Sequence, residues 1–236
     1  MSIVNPIDPA VLDQLGQCST PAVLNGLKRL GVDVTELQTM ARGAVRSVSP
    51  ELGPRVGFAA TRTVSTRRSG APPDPGRNSI LTEEGYAQLR RLPVPRILVA
   101  ENIGDWQGPV CIWGDVAASI AVASGVCAGI TNGPVRDVPE MAAAGFATWA
   151  AGIDVGGGHV ELVAVGEPVV VGGVRVEDGD LLHADVHGVV RIPRALAARL
   201  PSAIRAHEDV EARVIAAART GAPNPDPAAI ARAWRS

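Results

Sequence analysis

Three side chains stand out by type and spacing. Asp115 follows the short apolar run Cys111-Ile112-Trp113 and a glycine, Gly114; Arg136 and Asp137 follow the turn Asn132-Gly133-Pro134-Val135. Each group sits where the pattern predicts a strand ending and a helix beginning. A helix start leaves backbone N–H groups without partners, here those of Val116, Ala117 and Ala118, and favours an anion by about 0.3–1 kcal/mol. Gly114 lets a ligand come close to the backbone, and a small carboxylate is a natural guest. If the two strands are neighbours in an open α/β sheet, Asp115, Arg136 and Asp137 converge at the edge where such sheets bind ligands. A carboxylate is a hard oxygen ligand for Mg2+ or Mn2+. A guanidinium binds a carboxylate or a developing enolate in its fork geometry. Structural readings stand beside these: Asp115 as an N-cap, Asp137 with Glu140 as a capping box, and Arg136-Asp137 as a surface pair of little energetic weight. The spacing leaves both sets open.

The elements that must position these residues follow from periodicity. Residues 8–31 predict helix, with Asp8-Pro9 at its start, a restart at Thr20-Pro21 and a stop at Gly31. Residues 56–65 predict a strand rich in β-branched side chains. The Pro/Gly segment 67–79 reads as a surface loop, or as a lid whose Arg67, Arg68 or Arg77 meets an anion. A regular alternation follows: helix 82–92, strands 95–101 and 109–113, helix 115–125, strand 126–131, helix 138–144. That order predicts parallel pairing with crossover helices. After Phe146 come short strands broken by Gly and Asp turns. A long helix over 194–219 and a Pro-rich break at 221–227 complete the chain. The expected organisation is one α/β domain over 1–220 with an extension over 221–236.

Composition narrows the partners. Apolar residues make up 46% of 236, enough for a full-sized core, and 22 basic side chains stand against 24 acidic ones. With no basic excess to neutralise a phosphate backbone and only 3% aromatics to stack on bases, nucleic acid is not an expected partner. No apolar run is long enough for a membrane span or a signal segment. Cys18, Cys111 and Cys127 are odd in number and lack metal or redox spacing. A soluble cytoplasmic protein is expected. Gly156-Gly157-Gly158 has no helix after it, so it does not read as a phosphate loop. His183 and His187 lie in a strand-and-turn segment and need not converge on a metal; Asp185 and Gly188 read as the turn.

The run WGDVAASIAVASGVCAGITNGPVRD, 113–137, resembles the RraA-like family, which includes 4-hydroxy-4-methyl-2-oxoglutarate / 4-carboxy-4-hydroxy-2-oxoadipate aldolases. Its metal-dependent members carry Asp, twenty residues, then Arg-Asp, which is the spacing of Asp115 and Arg136-Asp137. The segment PVVVGGVRVEDGDLLHADVHGVVRIP, 168–193, is similar to a second stretch of that family. The resemblance spans about residues 20–215 and implies a β/β/α swivelling-domain fold with a central mixed or parallel sheet flanked by helices. It implies that Asp137 holds Mg2+ (or Mn2+) with waters completing the shell, and that Asp115 holds one of those waters. It further implies that Arg136 stabilises a pyruvate enolate, and that the backbone around Gly114, Asp115, Val116 and Ala117 binds the carboxylate of a 2-oxo acid. The implied reaction is retro-aldol cleavage to pyruvate, with oxaloacetate decarboxylation alongside. Family members form homotrimers or homohexamers with an acidic residue of a neighbouring C-terminal helix completing the site; Glu211 is the candidate and Glu208 its rival. The family's namesake is a non-catalytic regulator of a ribonuclease, which supplies one alternative reading; the same enolate chemistry on a different 2-oxo acid is the other. One departure is Asn132, where many aldolase members have Asp.

Overall fold

The structure, a computed structural model, describes residues 7–40, 43–72, 74, 82–104, 110–220 and 222–235. In chain order, α1 (Pro9–Leu15), α2 (Thr20–Arg29), β1 (Arg46–Ser47) and β2 (Arg55–Arg67) lead into α3 (Glu83–Arg91), β3 (Arg96–Asn102), α4 (Asp115–Ala123) and β4 (Val126–Thr131). The short β5 (Pro134–Val135), α5 (Val138–Ala143), β6 (Ala147–Ala150) and β7 (Gly152–Ile153) follow. Then come β8 (His159–Val165), β9 (Val169–Val171), β10 (Val174–Val176), β11 (Leu181–Asp185), β12 (Gly188–Ile192), α6 (Leu200–Thr220) and α7 (Pro227–Arg235).

The main sheet runs β1-β6-β4-β3-β2-β11-β12, and β8 also pairs with β2. Its centre, β2, β3, β4 and β6, is parallel, as the strand–helix alternation predicts; β1, β8, β11 and β12 join antiparallel, so the sheet is mixed. β3 shows why the centre is buried on both sides. Ile97 and Val99 enter one core with the β9–β10 hairpin, while Leu98 and Ala100 enter another beneath α3, α4 and α5. A strand covered on both faces reads as a continuous apolar run. A third core packs α1, α2 and the first turn of α6 against Phe58, Leu181, Val190 and Ile192.

Local signals account for most helix ends. Asp8 caps α1 by accepting from the Ala10 N–H at 2.9 Å, and Ser19 caps α2 just before Thr20-Pro21. Two expectations change. The helix predicted over 194–219 is a 3-10 turn at Arg194–Arg199 followed by α6; Pro201 lacks the N–H that would carry an α-helix through from 194. Residues 110–113, expected as a strand, join no ladder. Their backbone bonds go singly to turns: Cys111 N–H to the Gly156 carbonyl (3.2 Å), Ile112 N–H to the Pro134 carbonyl (2.8 Å) and Arg136 N–H to the Trp113 carbonyl (3.2 Å). An apolar run signals burial, and Val110 to Trp113 are buried, but it does not tell strand from packed coil. Of the expected 67–79 loop, residues 73 and 75–79, with Arg77, lie outside the described residues, as do residue 109 of the expected strand and residues 221 and 236 of the extension.

Candidate active site

Trp113 anchors the first part of the site. Its ring meets Phe146 edge-on, centroids 6.1 Å apart, and fixes the coil that delivers Gly114 and α4. Asn132 anchors the second. Its amide accepts from the Asn102 N–H (2.7 Å) and donates to the Asn102 carbonyl (3.2 Å), tying the end of β4 to the end of β3. A carboxylate could not make the second bond. The residue that departs from the family pattern therefore clasps two strand ends. β5 pairs with β7 and holds the 152–158 loop beside the same turn.

On this frame Asp137 adopts φ 55°, ψ 41°, the left-handed region, and is the one non-glycine residue with positive φ among the described residues. It stands in the N-cap position of α5 without capping it, so the capping box expected with Glu140 does not form. The carboxylate turns away from α5 toward Gly114. Its Oδ2 lies 3.3 Å from the Arg136 Nε and accepts at 3.4 Å from the Asp115 N–H. A Cβ added at Gly114 would fall 2.2 Å from that oxygen, so only glycine permits the approach. The side chains of Arg136 and Asp137 keep 50% and 34% of their exposure, so the pair faces solvent rather than a dry interior.

Asp115 is the first helical residue of α4 and Gly114 is its N-cap, which settles the N-cap question against Asp115. The Asp115 carboxylate accepts from the Val116 N–H at 2.7 Å, and the Ala118 N–H bonds the Gly114 carbonyl at 3.0 Å. The expectation of three free N–H groups at 116–118 is thus corrected: two of them are engaged inside the helix start.

A cleft of about 320 Å3 opens beside this group. Gly114, Asp115, Val116, Ala117 and Arg136 line it together with Tyr86, Ile120, Val160 and the Gly156–Gly158 strip, and a Cβ at Gly157 would stand 3.9 Å from the Arg136 guanidinium. Arg136 forms a ridge between it and a second cleft of about 600 Å3, which Asp137 and residues 153–155 line. Sequence reasoning missed Tyr86, Cys111, Ile120, Val160 and the glycine strip as walls. The three consecutive glycines were the one available signal, since they leave backbone as a surface. Burial raises the Cys111 pKa above the usual thiol value, with Asp154 adding to the effect; burial pushes Cys127 up to about 11. Both thiols are inert at neutral pH.

The remaining candidates lie apart. Glu211 pairs with His207 at 3.2 Å on α6 and does not line the cleft of its own chain; neither does Glu208. Asp185 pairs with Gly188 across the β11–β12 hairpin and accepts from the His187 N–H at 2.8 Å, the turn expected of it. Arg67 pairs with Glu161 at 3.4 Å. Among the described residues no group of three or more His, Cys, Asp or Glu side chains is placed to hold a metal, and no helix is long and apolar enough to cross a membrane.

Fold and site together define a mixed α/β protein with a carboxylate–guanidinium cleft at a helix start. Residues 20–191 match the RraA-like family, described as Aldolase/RraA, and the chain belongs to that family. It is 27% identical over 107 residues to protein DlpA of Legionella pneumophila, a stretch that covers 44% of this chain and 17% of DlpA. The chain spans less than half the length of the curated relatives it matches. Two solved structures share the fold. An uncharacterized protein from Pseudomonas syringae pv. tomato matches with TM-score 0.71 and 24% identity over 100% of this chain and 99% of that one. Streptomyces coelicolor RraAS2, an unusual member of the RNase ES inhibitor RraA protein family, matches with TM-score 0.66 and 20% identity over 89% of this chain and 98% of that one.

Proposed function

We propose that this protein is a divalent-metal-dependent lyase that cleaves a 4-hydroxy-2-oxo acid to pyruvate by a retro-aldol reaction, with oxaloacetate decarboxylation as a side activity. One observation carries the reading: a left-handed Asp137 aims a solvent-facing carboxylate over Gly114, beside Arg136 and the start of α4. That donor set fits Mg2+ or Mn2+. It offers a hard oxygen with room around it and no crowd of protein ligands, and such ions keep several waters. Asp137 would hold the ion, and Asp115 would orient a water beside it. When bound, the ion supplies Lewis acidity to the 2-oxo group.

The chain's own residues do the rest. The Ala117 N–H at the helix start and the fork of Arg136 orient the C1 carboxylate. As the C4 hydroxyl gives its proton to a water of the open cleft, which later returns it to C3, the C3–C4 bond breaks and its electron pair passes into the enolate of pyruvate. Arg136 neutralises that charge, a donor of this kind being worth on the order of 3 kcal/mol in the transition state. Protonation at C3 releases pyruvate, and the other fragment leaves as a carbonyl compound. Oxaloacetate reaches the same enolate by losing CO2. Glu211, remote from its own cleft, would enter from a second copy in a trimer or hexamer.

The alternative, a non-catalytic regulator of a ribonuclease, draws on the likeness to RraAS2, a likeness of fold. The complete Asp115, Arg136 and Asp137 set favours the lyase, because a binding surface has no use for a strained carboxylate. Pyruvate release from 4-hydroxy-2-oxo acids and oxaloacetate, with Mg2+ and then with chelator, tests the reading. Turnover that chelation abolishes and added Mg2+ or Mn2+ restores is expected; turnover indifferent to chelator rejects the metal role.

A further inference from the structure

The Gly156–Gly158 strip lines the first cleft beside the Arg136 guanidinium, yet it belongs to no strand, lying between β7 and β8. Its path is nonetheless tight. A Cβ at Gly158 would stand 2.6 Å from the Arg67 carbonyl oxygen and 2.7 Å from a Val110 methyl group, so the strip lies directly on the end of β2 and on the 110–113 coil. The Gly156 carbonyl accepts from the Cys111 N–H at 3.2 Å.

Asp154 meets the same corner through both backbone and side chain. Its N–H donates to the Val135 carbonyl at 3.0 Å, carrying the β5–β7 pairing one residue further, beside Arg136. Its carbonyl accepts from the Cys111 thiol at 3.3 Å. Its Oδ1 accepts from the Val155 N–H at 2.6 Å and from the Gly156 N–H at 3.0 Å. An aspartate that accepts from the N–H two residues on holds a turn with its own side chain. This turn takes the chain from the second cleft, which Asp154 lines with Arg136 and Asp137, to the first, which the strip lines. Val155 at its tip is almost wholly exposed, so apolar packing does not hold the turn.

Arg136 lies between these supports. Asp137 holds its Nε at 3.3 Å, and a Cβ at Gly157 would stand 3.9 Å from its Nη1. Asp137 thus anchors the charge, while the strip walls the fork.

We propose that Asp154 is a positioning residue: its carboxylate, as a hydrogen-bond acceptor, holds the glycine strip against Arg136 and so sets how the guanidinium fork meets a ligand carboxylate. The consequence for turnover rests on the lyase reading above. Loss of the turn weakens substrate binding more than the chemical step, because Asp137 still keeps the Arg136 charge beside the enolate.

The test compares Asp154→Ala, which removes the acceptor, with Asp154→Asn, which keeps an oxygen in the same place without the charge. Asp154→Ser, a weaker acceptor, stands between them and serves should the alanine variant fail to fold. The first readout needs no activity: alkylation of Cys111 by N-ethylmaleimide on the full chain, followed by the mass of its peptide. Asp154→Ala should speed it about tenfold by loosening the strip that covers the thiol, and Asp154→Asn should leave it within about twofold of the parent. The second is oxaloacetate decarboxylation with Mg2+. Asp154→Ala should raise KM about tenfold with kcat within about threefold, and Asp154→Asn should restore KM. An asparagine variant as impaired as the alanine one overturns the proposal, since the charge and not the acceptor would then matter. An alanine variant that matches the parent in both readouts also overturns it. A parent without turnover on oxaloacetate or 4-hydroxy-2-oxo acids overturns the lyase reading and the KM effect with it, while the labelling still decides whether Asp154 holds the strip.

Discussion

Asp137 sits in a backbone region that L-residues other than Asn and Asp seldom enter, and it does so without capping the helix it begins. Its conformation therefore works against stability, and its partners return little: one half-exposed ion pair, worth about 0–1 kcal/mol, and one long hydrogen bond from Asp115. Asp137→Asn keeps the shape and suits the left-handed region, so it should leave unfolding free energy within about 1 kcal/mol of the parent. Without the charge proposed to hold the ion, activity should fall about 100-fold or more. Thermal melts alongside pyruvate release check the split; equal losses in both would make Asp137 a structural residue. Gly114 offers a complementary case. Its φ of −144° is open to any residue, so Gly114→Ala reports the contact rather than the backbone. The new methyl group would collide with the Asp137 carboxylate and stand 3.1 Å from the Arg136 Cγ. Displacing both by about 1 Å should lower kcat about 100-fold with little change in melting temperature.

At the scale of elements, α1 and α2 are fastened to the sheet by a buried imidazole. His183 on β11 places Nε2 at 3.1 Å from the carbonyls of both Leu15 and Cys18, which can only accept, so Nε2 carries the proton. Nδ1 then accepts from the Thr20 hydroxyl at 3.0 Å. Burial holds the His183 pKa below the ordinary histidine value, although the nearby Asp185 charge opposes this. The unfolded chain thus binds a proton more readily than the folded one. Stability should be fully present above about pH 6.5 and should decline as pH falls below it. Denaturant midpoints between pH 5 and 8 should show the slope, and His183→Gln should flatten it at some overall cost. This fastening was not legible in the sequence, where His183 reads only as a strand histidine, because its three partners lie more than 160 positions away. The same division runs through the site. Asp115 and Arg136-Asp137 were legible because side-chain type and helix-start signals are local. The left-handed turn at Asp137, the coil at 110–113 and the wall at Tyr86 arise from packing between distant segments, which periodicity does not encode.

At the scale of the whole molecule, two stretches of the described surface stay largely exposed. Around the cleft, Val116, Ile153 and Val155 are exposed, Val155 at 91%. Along α6 only the first turn is buried, with Leu200, Ala203 and Ile204 in the third core; α7 packs on the helix, and Ile215 beyond Glu211 stays half-exposed. Apolar surface beside a charged site is where a second copy gains most by docking. A ring in which α6 of one copy meets the cleft of the next would cover both surfaces and bring Glu211 to Arg136 and Asp137. That contact would be heterologous, so each site would draw Asp137 from one copy and Glu211 from its neighbour. Asp137→Asn and Glu211→Gln should each be nearly inactive alone. After dissociation, equal mixing and reassociation, a site works only when the copy supplying Asp137 is the Glu211 variant and its neighbour is the Asp137 variant. Random assembly makes that about one site in four, so activity should recover to about a quarter of the parent's. If Glu211 served its own chain, every mixed site would lack one of the two carboxylates and mixing would restore nothing. If it served no site, Glu211→Gln alone would already be active. The three outcomes differ enough for a single pyruvate assay to separate them.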